Sequence, residues 1–295
     1  MTMLVNMKKS NSIILATAIT PNYLCKATDF IRSIDKNSNC DANVVILVFS
    51  PSFLIAELLE IFKSLSFARS FKKIKLRLLN NSRVLARNSN NCIQHGAFLG
   101  AVKSNDSLGD VDPIIIFTDV DIVMQRGLSK EEEAILKKLE KGDVYVGINE
   151  SENETLEDEA VKLGADQSFI KNPKVEIKGK RIFNTGVMVA RKSTFKKLYD
   201  IYANEHQVWG SHFKHYAKQQ WIISYVIQSY EFFKVIEMPS SFHSHCHRPP
   251  TLLPNQDTFI DDDGILKMRS TNTPVLFNHL CCKLFAEGFY RASVE

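Results

Sequence analysis

The chain reads as an α/β protein with an open, mostly parallel, twisted sheet and helices on both faces. Three observations predict this. Apolar runs of strand length alternate with segments of helical periodicity through most of the sequence. Several runs, among them Val44 to Phe49, Ile114 to Thr118 and Phe183 to Ala190, are apolar at nearly every position, as strands buried on both faces must be. With 295 residues and 44% hydrophobic content, the chain can bury the core of one large domain spanning 1–295.

Ser12 to Thr17 is the first strand, followed by helical spacing of Tyr23, Leu24, Ala27, Phe30, Ile31 and Ile34. Val44 to Phe49 is the second strand. After Pro51, Leu54, Leu58, Ile61, Phe62 and Leu65 mark a helix, and Ile74, Leu76 and Leu78 alternate as a third strand. Asn88 to Val102 reads as a helix carrying Ile93, Ala97 and Leu99, and Ile114 to Thr118 as the central strand. Ser129 and Glu132 stand at capping-box spacing and open the next helix. Val144 to Ile148 and Phe183 to Ala190 are further internal strands. Phe195, Leu198, Tyr199 and Tyr202 form one helical stripe, and Trp221, Ile222, Tyr225 and Val226 another. Asn149 to Ala160, rich in acids, with the lysine-rich stretch through Arg181, is expected to be a solvated excursion or a flap over an acceptor. Phe242 to Ser270, with Pro249, Pro250, Pro254 and Asp261-Asp262-Asp263-Gly264, is expected to be loop and turn.

Composition narrows the function. The net charge of +4 is mild and its lysines and arginines are dispersed among acids, so no nucleic-acid partner is expected. Met7-Lys8-Lys9 before Ile13 to Ile19 imitates a signal peptide, but Ser12, Thr17 and Thr20 interrupt a short run that ends at Pro21. No run reaches the roughly 18 apolar residues of a membrane span. The six cysteines (Cys25, Cys40, Cys92, Cys246, Cys281, Cys282) lack paired C-x-x-C spacing, and a cytoplasmic location with reduced thiols is expected.

The chemistry points to Asp119-Val120-Asp121, which follows the apolar run of the central strand. Alternation would put both carboxylates on one side, facing one divalent cation or dividing between a metal and a sugar hydroxyl. Sheets of this kind bind ligands beyond the carboxyl ends of their strands, where Thr17 to Tyr23 also fall.

Ile114 to Val123, containing these acids, resembles the D-x-D strand of nucleotide-sugar glycosyltransferases with the GT-A fold. Phe183-Asn184-Thr185-Gly186-Val187-Met188-Val189 is similar to a downstream strand of several such families, including the glycogenin-like family 8. Lys218-Gln219-Gln220-Trp221 resembles the helix start where many of them carry Asp-Gln. The resemblance implies a Rossmann-like nucleotide-sugar-binding half over 1–125 and an acceptor-binding half over 126–295. It implies transfer of a hexose or pentose from a nucleotide sugar, UDP-linked, to a glycan, protein or lipid, with Mn²⁺ or Mg²⁺. Asp119, Asp121 and His279 would be the metal ligands, with Asp119 also reaching the ribose. Thr17, Ala18, Arg87, Asn184, Thr185, Gly186 and Lys283 would bind the donor, and Gln219 and Gln220 would be catalytic. Gln219 stands where the family's Asp is usual, and a glutamine accepts no proton. Retention of configuration is the expectation, since the motif match is to retaining families.

Other readings compete. A haloacid-dehalogenase-type phosphohydrolase would use Asp119 as nucleophile, but that family's acid pair lies near the chain start, and Asp261 to Asp263 follows a loop instead of a strand. A nucleotidyltransferase would want a glycine-rich basic loop after the first strand, where Ala18-Ile19-Thr20-Pro21 stands. A non-catalytic carbohydrate-binding module does not explain paired acids at a buried strand's end. His243, His245 and His247 alternate as on one strand face and suit acceptor contacts or a polar edge better than zinc. His206, His212 and His215, near Trp209 and Tyr216, are expected to be packed surface.

Overall fold

The computed structural model describes residues 12–19, 30, 33–34, 36–37, 43–48, 74–78, 94–104, 112–148, 154–172, 176–213, 218–246, 257–263 and 265–280. Its strands are β1 (Ile13–Ile19), β2 (Asn43–Val48), β3 (Ile74–Leu78), β4 (Ile114–Thr118), β5 (Ile122–Met124), β6 (Asp143–Ile148), β7 (Phe183–Arg191), β8 (Lys234–Glu237), β9 (His243–Cys246), β10 (Thr258–Ile260), β11 (Leu266–Met268) and β12 (Phe277–Leu280). Helices follow as α1 (Gln94–Ser104), α2 (Lys130–Lys137), α3 (Leu156–Lys162), α4 (Gln167–Ile170), α5 (Lys192–Trp209) and α6 (Lys218–Ser229).

The main sheet has seven strands in the order β3-β2-β1-β4-β7-β6-β8. Its first four run parallel, and β6 and β8 share their direction, whereas β7 is antiparallel to both β4 and β6. Two-residue alternation assigns the side chains to layers. Ile14, Ala16, Ile115, Phe117, Met188 and Ala190 face one core, roofed by Phe98 and Leu99 of α1, Phe195 and Leu198 of α5, and Trp221 and Ile222 of α6. Ile13, Leu15, Ile114, Ile116, Val187 and Val189 face the other, with Phe30, Ile34 and Leu136 of α2. Both faces of β4 are thereby sealed, and all five of its residues are buried.

The expected helix 88–102 is observed from Gln94, and its earlier residues lie outside the described ones, as does the helix expected after Pro51. Two expectations are corrected. Within the stretch 149–160, the described residues from 154 on are not simply solvated: Thr155 and Asp158 cap α3 reciprocally, Leu156 and Ala160 are fully buried, and Trp221 Nε1 donates to Leu156 O at 2.7 Å. Apolar residues of α3 are too few for a visible period, and their partners are distant in sequence. The stretch 242–270 is not all loop, since it holds β9, β10 and β11. The Asp261 turn joins β10 to β11, with the Asp261 carboxylate 2.7 Å from Lys267 Nζ.

A second sheet, β5-β12-β9, positions the site. β12 runs antiparallel to β5 and parallel to β9. Gln125, following β5, secures it: its Nε2 donates to Leu266 O (2.8 Å) and Val275 O (3.2 Å), and its Oε1 accepts from Asn278 Nδ2 (3.1 Å). Glu132 closes the expected capping box by accepting from Ser129 N at 2.8 Å and also takes a bidentate pair from Arg126 at 2.7 and 2.6 Å. Arg126 then donates to Pro274 O (2.7 Å) and Ser241 O (3.1 Å), tying α2 to the approaches of β12 and β9.

Candidate active site

β4 ends at Thr118, and Asp119 extends the ladder by one bond, its N–H donating to Gly186 O at 2.7 Å. Val120 is fully buried, and Asp121 ends the turn that leads into β5. The acids therefore converge through a turn with Val120 anchored in the core, and not by alternation along a continuing strand. Register then supplies a third group. β12 pairs His279 opposite Ile122, next to Asp121, which brings His279 Nε2 within 3.4 Å of Asp121 Oδ1. Single ligand atoms of Asp119, Asp121 and His279 all lie within 4.8 Å of one another.

The electrostatics suit a cation. Burial raises the Asp119 carboxyl well above its usual range, the Asp121 charge raises it further, and His279 opposes them. Asp119 Oδ1 is buried and makes no hydrogen bond among the described residues. Two carboxylates and one imidazole form a donor set that can hold a divalent cation. The residues fit such an ion.

A bulge in β7 frames this cluster. Between Val146 and Gly147 of β6 the register jumps, pairing Val146 with Met188 but Gly147 with Asn184. Asn184 Oδ1 accepts from Gly186 N at 2.8 Å, bracing the bulge from within. A Cβ on Gly186 would stand 2.7 Å from His279 Cε1, so this glycine makes room for the imidazole. Gly147 does the same for His243 of β9, whose buried ring lies 5.9 Å from that of His279. Burial, and then His279, push His243 well below its ordinary pKa.

Thr17 is buried and its hydroxyl donates to Thr118 O at 2.6 Å, so it ties β1 to β4 directly beside the acids, with Ala18 next along β1. Gln219 is buried at the start of α6, and its Oε1 accepts from His95 N (3.2 Å) and Gly96 N (3.4 Å) of α1; Gln220 beside it is half-buried. Arg87, Lys283 and His247 lie outside the described residues. His212 sits 3.2 Å from Asp166 and stacks on Phe169, while His215 and Tyr216 of the same segment lie outside the described residues.

Sequence reasoning missed His95 and Gly147. His95 is 9% exposed, and its Nε2 lies 3.0 Å from Thr185 O and 3.9 Å from Asp119 Oδ1. A lone histidine at a helix start carries no local signal. Gly147 did carry one, since an isolated glycine inside a strand marks a bulge or a close approach.

Burial depresses His95 from 6.5 to about 4, against the raising effect of its bond to Thr185 O. Between those values the unfolded chain binds a proton that the folded chain does not, so stability falls as pH drops through this window. The loss is about 3 kcal/mol for this group alone. Urea unfolding of His95→Phe from pH 7 toward pH 4 is expected to show a shallower decline than the parent chain.

No protein-family model matches the chain, and no curated protein matches it. Solved structures do. The galactosyltransferase LgtC in complex with donor and acceptor sugar analogues superposes with a TM-score of 0.56 at 15% identity, covering 95% of each chain. Mouse xyloside xylosyltransferase 1, in its apo form, gives 0.53 at 14% identity over 92% of this chain and 98% of that one. The bifunctional glycosyltransferase WbbM gives 0.50 at 15% identity over 79% of this chain and 40% of its own. An active-site glutamine-to-glutamate variant of LgtC matches at 0.57. The fold is thus GT-A, a mixed α/β sheet of mostly parallel strands.

Proposed function

We propose that the chain is a metal-dependent glycosyltransferase that takes a hexose or pentose from a UDP-linked sugar and passes it to a glycan, protein or lipid with retention of configuration. The observation that carries this reading is the convergence of Asp119, Asp121 and His279 beyond the carboxyl end of the central strand of a GT-A sheet. Such crevices are where open α/β sheets take ligands.

Asp119, Asp121 and His279 would hold Mn²⁺ or Mg²⁺. When bound, such an ion neutralises charge building on a departing diphosphate. The chain's own residues supply position. Thr17 and Ala18, beside the acids, border the nucleotide; Asn184, Thr185 and Gly186 bring a braced bulge toward the donor sugar; Arg87 and Lys283 are assigned to donor contacts by resemblance. Gln220, near the opening of α6, keeps a catalytic assignment by resemblance. Gln219 has its amide oxygen committed to α1, so it contributes by seating that helix. Residues 1–125 form the nucleotide-sugar half and 126–295 the acceptor half, with cysteine spacing supporting a cytoplasmic site. No helix among the described residues is long and apolar enough to cross a membrane. A phosphohydrolase with Asp119 as nucleophile is not favoured: Asp261, although it follows β10, pairs with Lys267, and the groups that gather with Asp119 are Asp121 and His279.

A thermal-shift screen of UDP-, GDP- and CDP-sugars with and without Mn²⁺ tests the proposal. A UDP-sugar with Mn²⁺ is expected to raise Tm beyond either alone, by about 2.7 kcal/mol of added stability at 100 times Kd. No shift with any sugar nucleotide, together with phosphate release from a phosphomonoester, would overturn it.

A further inference from the structure

We propose that His95 is a positioning residue: seated by Gln219, its imidazole clips the Asn184–Thr185–Gly186 bulge to the end of β4 and so holds the Asp119 carboxylate where a metal is bound. The inference rests on the metal-binding reading above and adds to it a residue and a mechanism of preorganisation.

The clip is built from two consecutive carbonyls of the bulge. Thr185 O accepts from the His95 side chain at 3.0 Å, and Gly186 O accepts from the Asp119 backbone at 2.7 Å. Both groups near Nε2 are acceptors, a carbonyl and the Asp119 carboxylate at 3.9 Å, so the ring carries its proton there and acts as a donor. The imidazole cannot swing away. The ring packs against Phe117 at a 58° tilt with centroids 5.2 Å apart, and the backbone N–H of His95 donates to Gln219 Oε1 at 3.2 Å, which fixes the main chain that carries it. Gln219 also takes the next amide, Gly96 N, at 3.4 Å, capping α1 from α6. Four elements are thereby linked at one residue, α6 and α1 through the His95 backbone and β7 and β4 through its ring. Asp119 Oδ1 receives no hydrogen bond among the described residues, so its place depends on this backbone frame.

Mn²⁺ binding to the full chain, followed by the electron paramagnetic resonance of free Mn²⁺, is the test. His95→Phe keeps the ring volume and loses the donor; it is expected to bind Mn²⁺ about 10-fold more weakly, with faster hydrogen exchange at the Asp119 amide. His95→Gln, which keeps an N–H donor, is expected to recover most of the affinity. Gln219→Met is expected to weaken binding too, and its effect is expected to be less than additive with His95→Phe, because both break one clip. If His95→Phe fails to fold, Gln219→Met and His95→Gln decide. Variants that melt lower yet match the parent's Mn²⁺ affinity and Asp119 exchange would overturn the inference while leaving the metal site intact. A parent chain that binds no Mn²⁺ would remove the metal-binding reading and the inference with it.

Discussion

Asp121→Asn is expected to bind Mn²⁺ at least about 100-fold more weakly than the parent chain and to lose metal-dependent hydrolysis of the sugar nucleotide, yet to melt higher in the presence of a chelator. The two effects share one cause. Asp121 is 9% exposed and faces Asp119 across a single turn, and its charge adds to burial in raising the Asp119 carboxyl above its ordinary 3.8. A carboxyl whose folded pKa is raised costs stability above its unfolded pKa, because the unfolded chain releases the proton first. Removing the neighbouring charge relieves that cost near neutral pH. It should relieve nothing well below pH 4, where Asp119 is protonated in both states. The same sign governs the parent chain: Mn²⁺ must displace a proton from Asp119, so affinity is expected to rise with pH. Titrations of Mn²⁺ across pH, paired with melting curves in EDTA, check both. An Asp121→Asn chain with parental Mn²⁺ affinity would show that the acids do not share an ion.

The parts of this arrangement that were legible in the sequence are those written in local chemistry. Ile114 to Thr118 announces a strand buried on both faces, and the structure seals it on both. Ser129 and Glu132 announce a helix start, and their side chains and amides bond reciprocally. Direction and pairing are not local. Nothing in Phe183 to Arg191 says that this strand runs against its neighbours, since antiparallel and parallel burial demand the same apolar residues. The small sheet β5-β12-β9 was hidden for a related reason: its strands are three or four residues long, and His243–Cys246 has no apolar face to read. His279 was reached through resemblance, and only pairing with β5 explains why it meets Asp121. His95 depends on contacts with residues 90 and 124 positions away, beyond any periodicity.

Gly186→Ala is expected to displace a metal-ligand candidate with a single methyl. The added Cβ would lie 2.7 Å from His279 Cε1 and 2.9 Å from both His279 Nδ1 and Asn184 Oδ1, closer than side-chain carbons pack. The imidazole has little room to retreat, because β12 fixes its backbone between β5 and β9 and the His243 ring lies beyond it at 5.9 Å. His279 or the bulge must therefore move, at about 1 to 3 kcal/mol of stability. Movement of His279 away from Asp121 is expected to lower Mn²⁺ affinity by about 10- to 100-fold. Gly179→Ala separates this from a general glycine effect. Gly179 has φ of 74° with nothing within 4 Å of an added Cβ, so its alanine is strained by backbone conformation alone. That variant is expected to lose stability but keep parental Mn²⁺ affinity. If Gly186→Ala instead binds Mn²⁺ as the parent does, His279 is not a ligand held in place by the bare backbone of β7.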